Sequence, residues 1–320
     1  MSHSRQVVLA FIGIGLFTAC GGGDGSGPPP RTLEAFSGAS QTDTVLATLA
    51  NPLVVLAREN SAPVAGVTVN WTAAGDGKVN GAGTATSTTG ADGKASVTYQ
   101  LGSTAGQQTP TAAATGLGGS PVSFALTATA GAATQLVKTA GDGGNALING
   151  QATYTVTARD SHDNPKQGVT IDWAATGGGG SITPPQNATG GSGTASATRT
   201  LSGTAGAHTA TATANGIAGA PSVTFTTTAI VAPTTASVSV GNNFFDPQSV
   251  TIAAGGTVTW TWVGLPTVGH NVTFAGGTPA NCANETAAGA TCQRTFSTAG
   301  TFNYSCTNHP GMNGSVTVVP

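Results

Sequence analysis

One passage of this chain occurs twice. Pro63-Val64-Ala65-Gly66-Val67-Thr68-Val69-Asn70-Trp71 returns as Pro165-Lys166-Gln167-Gly168-Val169-Thr170-Ile171-Asp172-Trp173, an offset of 102 residues. Leu101-Gly102-Ser103-Thr104-Ala105-Gly106 returns as Leu201-Ser202-Gly203-Thr204-Ala205-Gly206, an offset of 100. A period of this length means two copies of one folding unit, and it limits where their boundaries can lie. Inside the repeat, Val67, Val69 and Trp71 fall at every second position, the spacing of a strand with one buried face. Thr257-Val258-Thr259-Trp260-Thr261-Trp262 alternates in the same way, and no stretch beyond the first twenty residues has a helical period. With Gly-rich turns between short apolar runs, the fold class is all-β. A unit of about 100 residues is the size of a seven-stranded sandwich.

Gly90-Ala91-Asp92-Gly93-Lys94-Ala95-Ser96-Val97, and more loosely Gly193-Thr194-Ala195-Ser196-Ala197, resemble the turn and strand of bacterial immunoglobulin-like domains of the invasin/intimin type. The resemblance implies two tandem immunoglobulin-like β-sandwiches, set here at 36–130 and 131–230. Neither copy contains a cysteine. Each must therefore be held by its core, with Trp71 and Trp173 as the expected central residues, worth about 3–5 kcal/mol each on truncation. Such domains serve as adhesins or as spacers. Without an aromatic cluster, a charge patch or an acidic calcium motif in either copy, the spacer is the expected role. His162 and His208 have no Cys or Met beside them and are read as surface residues.

The chain opens with Met1-Ser2-His3-Ser4-Arg5, an apolar run from Val7 to Phe17, and Thr18-Ala19-Cys20. The run is too short to span a bilayer and reads as a secretory signal over 1–20. Cys20, after Ala19 and before Gly21-Gly22-Gly23, resembles a bacterial lipobox. The resemblance implies that Cys20 is lipidated and that the protein is exported and anchored to a membrane, at the periplasmic or cell-surface face. Gly21 in place of Asp after that cysteine points to the outer membrane. Residues 21–35, rich in Gly, Ser and Pro, are expected to form a flexible tether.

The chemistry lies near the C-terminus, beyond a Pro-containing joint at Ile230-Val231-Ala232-Pro233-Thr234-Thr235. Cys306, His309 and Met312 follow at C-x-x-H-x-x-M spacing, with His270 36 residues before the cysteine. Thiolate, imidazole and thioether make a soft donor set, suited to copper far better than to magnesium or calcium. Two His and one Cys with a weak axial Met are the ligands of a blue-copper electron-transfer site. Cys306 could instead be half of an inert disulfide, or the cluster could hold structural zinc. Against these, the chain has only two methionines, the initiator and Met312, so its one internal methionine falls on the ligand position. Phe302 and Pro310 stand where a dinuclear copper centre would need a second cysteine. Ser305 and Thr307 stand where a relay to a second copper would need histidines. The reading is one copper and no enzyme.

Together with Phe245-x-Pro247-x-x-Val250-Thr251-Ile252-x-x-Gly255 and His270-Asn271-Val272, this motif resembles the cupredoxin family, in its plastocyanin/amicyanin-like branch, over 235–320. The resemblance implies a Greek-key β-sandwich or barrel. It also implies that His309 reaches the surface and, with Pro310 and with Leu265 and Pro266 alongside, forms the edge where electrons enter and leave. Asn271 would tie the His270 segment to the cysteine loop. Cys282 and Cys292 are expected to pair, as exported cysteines do.

Only 7% of the 320 residues are charged, the formal net charge is −2, and no basic run exists, which argues against a nucleic-acid partner. The expected partners are redox proteins, a c-type cytochrome or another copper protein, with no small-molecule substrate. The competing class is a surface adhesin whose C-terminal domain binds or stores copper without passing electrons.

Overall fold

The computed structural model describes residues 31–264 and 268–320, and every regular element among them is a strand. The signal and Cys20 lie outside the described residues, as do Leu265 and Pro266. No helix among the described residues is long and apolar enough to cross a membrane. The chain divides after Ala128 into two compact units.

The first unit holds the first repeat. Arg31–Ser37 pairs antiparallel with Leu53–Glu59, so the tether expected through residue 35 ends sooner. Gly/Pro composition stops at Pro30, and the strand that follows buries only Leu33 on its inner face, which leaves little alternation to read. Trp71 is buried at the centre, 5.9 Å from Phe124 between ring centroids, and its Nε1–H donates to Ser87 Oγ at 2.8 Å.

The second repeat opens the second unit with two sheets. One runs Ala133–Ala140, Gln151–Asp160, Thr194–Thr200, Ser181–Thr183. The other runs Gly144–Leu147, Ser222–Ile230, Gly206–Asn215, Thr170–Ala175, Gln186–Ala188. The two copies share detail beyond their sequence motifs. Gly93 and Gly193 both have φ of +72°, and a Cβ on either would lie 2.7 Å from the Cβ of Pro63 or Pro165, so both turns require glycine. Gln108 Nε2 donates to Thr104 O at 3.0 Å, and His208 Nε2, 100 residues on, to Thr204 O at 2.9 Å. His208 is therefore no surface residue. It is 1% exposed, in phase with Ala210, Ala212 and Ala214 along its strand, whereas His162 is exposed.

Among the described residues, nine strands make the C-terminal domain: β1 Thr235–Gly241, β2 Phe244–Asp246, β3 Ser249–Ala253, β4 Gly256–Trp262, β5 His270–Phe274, β6 Cys282–Glu285, β7 Thr291–Phe296, β8 Gly300–Ser305 and β9 Asn313–Val319. They form two sheets, ordered β2-β1-β4-β7 and β3-β9-β8-β5-β6. The β1/β4 and β3/β9 pairs are parallel; the others are antiparallel. Alternation in β4 buries Val258, Trp260 and Trp262 on one face. Trp260 meets Phe274 and Tyr304 edge to face, at centroid distances of 5.7 and 5.4 Å, a favoured aromatic geometry that fixes β5 and β8 against β4.

Candidate metal centre

Period-two geometry in β8 turns Tyr304 inward and carries the same phase to Cys306, 4% exposed just past the strand end. The chain then folds back on itself. Cys306 N donates to Met312 O at 3.0 Å, and Met312 N to His309 O at 3.2 Å. This closed loop brings residues spaced by three to one end of the sandwich and leads into β9. His270 opens β5, which lies beside β8 through the pairs Thr273↔Ser305 and Phe274↔Tyr304.

The result is a cluster in which one donor atom each from His270, Cys306 and His309 lies within 4.8 Å of the others. Cys306 Sγ is 3.8 Å from His270 Nδ1 and 3.5 Å from His309 Nδ1. An ion about 2.3 Å from a thiolate and about 2.0 Å from an imidazole nitrogen puts those atoms about 3.7 Å apart at a trigonal angle of about 120°. The observed separations correspond to S–ion–N angles of about 110–125°, so each imidazole nitrogen stands at the spacing from Cys306 Sγ that a shared trigonal ion requires. Met312, 2% exposed, is packed in the same apolar cluster as Cys306. Burial, and then the neighbouring His309, lower the His270 pKa from its ordinary value, which favours the neutral ligating form. The donor set is soft and enclosed, and it suits copper.

Cys306 is the free cysteine among the described residues, because Cys282 and Cys292 are bonded to each other. Asn271 ties the two ligand segments: its Nδ2 donates to Thr307 Oγ1 at 2.7 Å, and its Oδ1 accepts from Thr307 N at 3.0 Å. His309 is partly exposed and Pro310 exposed. Sequence reasoning did not anticipate Asn308. Its Nδ2 donates to Gly269 O and to Asn284 Oδ1, and no spacing rule marks amides 24 residues apart as partners.

A model for copper binding proteins of the plastocyanin/azurin family matches residues 233–319, and one for a bacterial Ig-like domain (group 1) matches residues 137–226. Plastocyanin from Scenedesmus fuscus is 40% identical over 86 residues, covering 23% of this chain and 85% of that protein. Among solved structures, an amicyanin variant in its reduced Cu(I) form at pH 4 is 31% identical, with a TM-score of 0.25 over 28% of this chain and 86% of that one. The Escherichia coli adhesin FdeC is 17% identical, with a TM-score of 0.41 over 92% of this chain and 98% of that one. A bacterial immunoglobulin-like domain thus precedes a cupredoxin domain, and through the latter this chain belongs to the plastocyanin/azurin family of copper-binding proteins.

Proposed function

We propose that the protein is an exported, lipid-anchored carrier of single electrons, holding one copper ion in its C-terminal domain and displaying it on an immunoglobulin-like stalk. The observation that carries this reading is the buried thiol of Cys306, with two imidazole nitrogens at 3.5 and 3.8 Å. His270, Cys306 and His309 supply the strong donors and Met312 the weak one. Bound copper supplies a one-electron couple there.

The residues do the rest by holding still. Cys306 and Met312 are fixed by the core and by the backbone bond between them, and Asn271 locks the two segments together. A donor set held in this way would change little between oxidation states and so keep the reorganisation barrier low for outer-sphere transfer, in which no bond is made or broken. His309, partly exposed beside Pro310, is the route for the electron. The domain carries only Asp246, Glu285 and Arg294 as charged side chains, so docking is mainly apolar. The donor and acceptor are proteins such as a c-type cytochrome or another copper protein. Cys20 provides the lipid anchor, with the outer membrane favoured, and the immunoglobulin-like domains act as spacers.

The test is copper titration of the full chain, followed by reduction and mixing with an oxidised c-type cytochrome. One copper per chain, a reversible one-electron cycle and a transfer rate little changed by salt are expected. Two coppers, irreversible reduction, or a rate that falls steeply with salt would overturn the reading.

A further inference from the structure

The two histidines of the centre come from separate segments, and their rings stand 4.4 Å apart between centroids at an interplanar angle of 30°. Asn271 and Thr307 make one tie between those segments. A second runs through Asn308, the residue before His309. Its Nδ2 donates at 2.5 Å to the carbonyl of Gly269, the residue before His270, and at 2.7 Å to Asn284 Oδ1. Both hydrogens of that nitrogen are thereby used, so two partners set the orientation of Asn308.

Gly269 is part of the fit. A Cβ there would lie 2.1 Å from Asn284 Nδ2, so only glycine lets the Asn284 carboxamide lie against the backbone next to His270. Asn284 belongs to β6, an edge strand whose pairing with β5 is irregular between His270↔Glu285 and Val272↔Cys282. Such a strand is a poor anchor by its hydrogen bonds alone. The Cys282–Cys292 bond, two residues before Asn284, fixes it to β7 in the other sheet.

We propose that Asn284 is a positioning residue of the copper centre: from a disulfide-anchored strand, its carboxamide holds Asn308 against Gly269 and so sets the spacing of His309 and His270. The inference rests on the reading of the centre given above. Asn284 touches no donor atom; it acts through Asn308 and Gly269, each one residue from a ligand. Removing partners that orient metal ligands typically costs 10–100-fold in affinity or activity, and a partner one contact further out belongs at the low end.

The test uses the full chain with Asn284→Ala, Asn284→Asp, Asn308→Ala and the Ala/Ala double variant. For Asn284→Ala the expected result is about tenfold faster copper loss to a chelator, with a displaced visible band. Asn284→Asp keeps an acceptor oxygen for Asn308 and restores both. Asn308→Ala reproduces the defect, and the double variant is no worse than either single one, since both break the same tie. In the metal-free protein the ring resonances of His270 and His309 shift in Asn284→Ala, so the positioning is read without copper. Wild-type ring resonances, band and release rate in Asn284→Ala would overturn the proposal, as would a defect that Asn284→Asp leaves unrepaired. If the wild-type chain forms no coloured complex but the ring shifts appear, the copper reading fails and the positioning role stands.

Discussion

The Cys282–Cys292 bond offers a perturbation whose size follows from the topology. Cys282 faces Val272 of β5 in one sheet and Cys292 faces Trp260 of β4 in the other, so the bond joins the two sheets of the C-terminal domain. The cysteines are 10 residues apart. In the chain-entropy model, closing a loop of that length stabilises the fold by about 2.7 kcal/mol at room temperature. In a domain of this size each kcal/mol is worth about 4–8 °C, so Cys282→Ala/Cys292→Ala should lower its melting temperature by about 10–20 °C. The assay is scanning calorimetry on the metal-free full chain. The transition of the C-terminal domain is recognised because copper raises it, as any ligand of the native state does. The repeats contain no cysteine, so their transitions should stay in place. A fall of less than about 3 °C, or one shared by every transition, would refute the assignment of the bond as the staple between the sheets.

Two further predictions concern the second repeat. Burial alone would raise the Asp160 pKa, but hydrogen bonds from the Asn164 side chain and from the N–H groups of Gly131, His162 and Asn164 outweigh it and hold the carboxyl below its ordinary value. Its contribution is therefore complete above the unfolded carboxyl value of about 3.9 and is lost as pH falls through the lower folded value. Asp160→Asn should cost about 2 kcal/mol at neutral pH, and the gap from wild type should close in acid; denaturant midpoints that differ equally at pH 7 and pH 2 would contradict this. Gly193→Ala forces a left-handed alanine whose Cβ meets Pro165 Cβ at 2.7 Å and Lys166 N at 2.8 Å, at a cost of about 2–4 kcal/mol. An unchanged unfolding midpoint for that domain would show that the turn does not need glycine.

What could be read in the sequence depended on whether the interaction was local. Cys306, His309 and Met312 sit on one short loop, so their spacing alone announces a donor set. His270, 36 residues before the cysteine, could be added because a blue-copper donor set needs a second imidazole, and His270-Asn271-Val272 then also matched the family pattern. The strand faces of Val258, Trp260 and Trp262 followed from alternation. Alternation also contained the signal for His208, which is in phase with three alanines of its strand and so faces the core although it has no Cys or Met beside it. Arg199 poses the same lesson. In phase with Ala195 and Ala197, it is fully buried and donates to the carbonyls of Ser181, Thr200, Gly177 and Gly179, where the first repeat places Tyr99. The Asn284–Asn308–Gly269 tie was illegible for a different reason. It joins three segments through exposed or backbone groups, and only the return of the disulfide-bonded strand past the ligand loop brings them together.

The central claim is that Cys306 binds copper as a thiolate, in company with His270 and His309. The visible absorption spectrum of the oxidised, copper-loaded full chain, taken beside that of Cys306→Ser, tests it most directly. The account predicts an intense band that bleaches on reduction by ascorbate, returns on reoxidation and is absent from a Cys306→Ser protein that remains folded. A wild-type protein that binds metal without colour, or a band that survives Cys306→Ser, would contradict it.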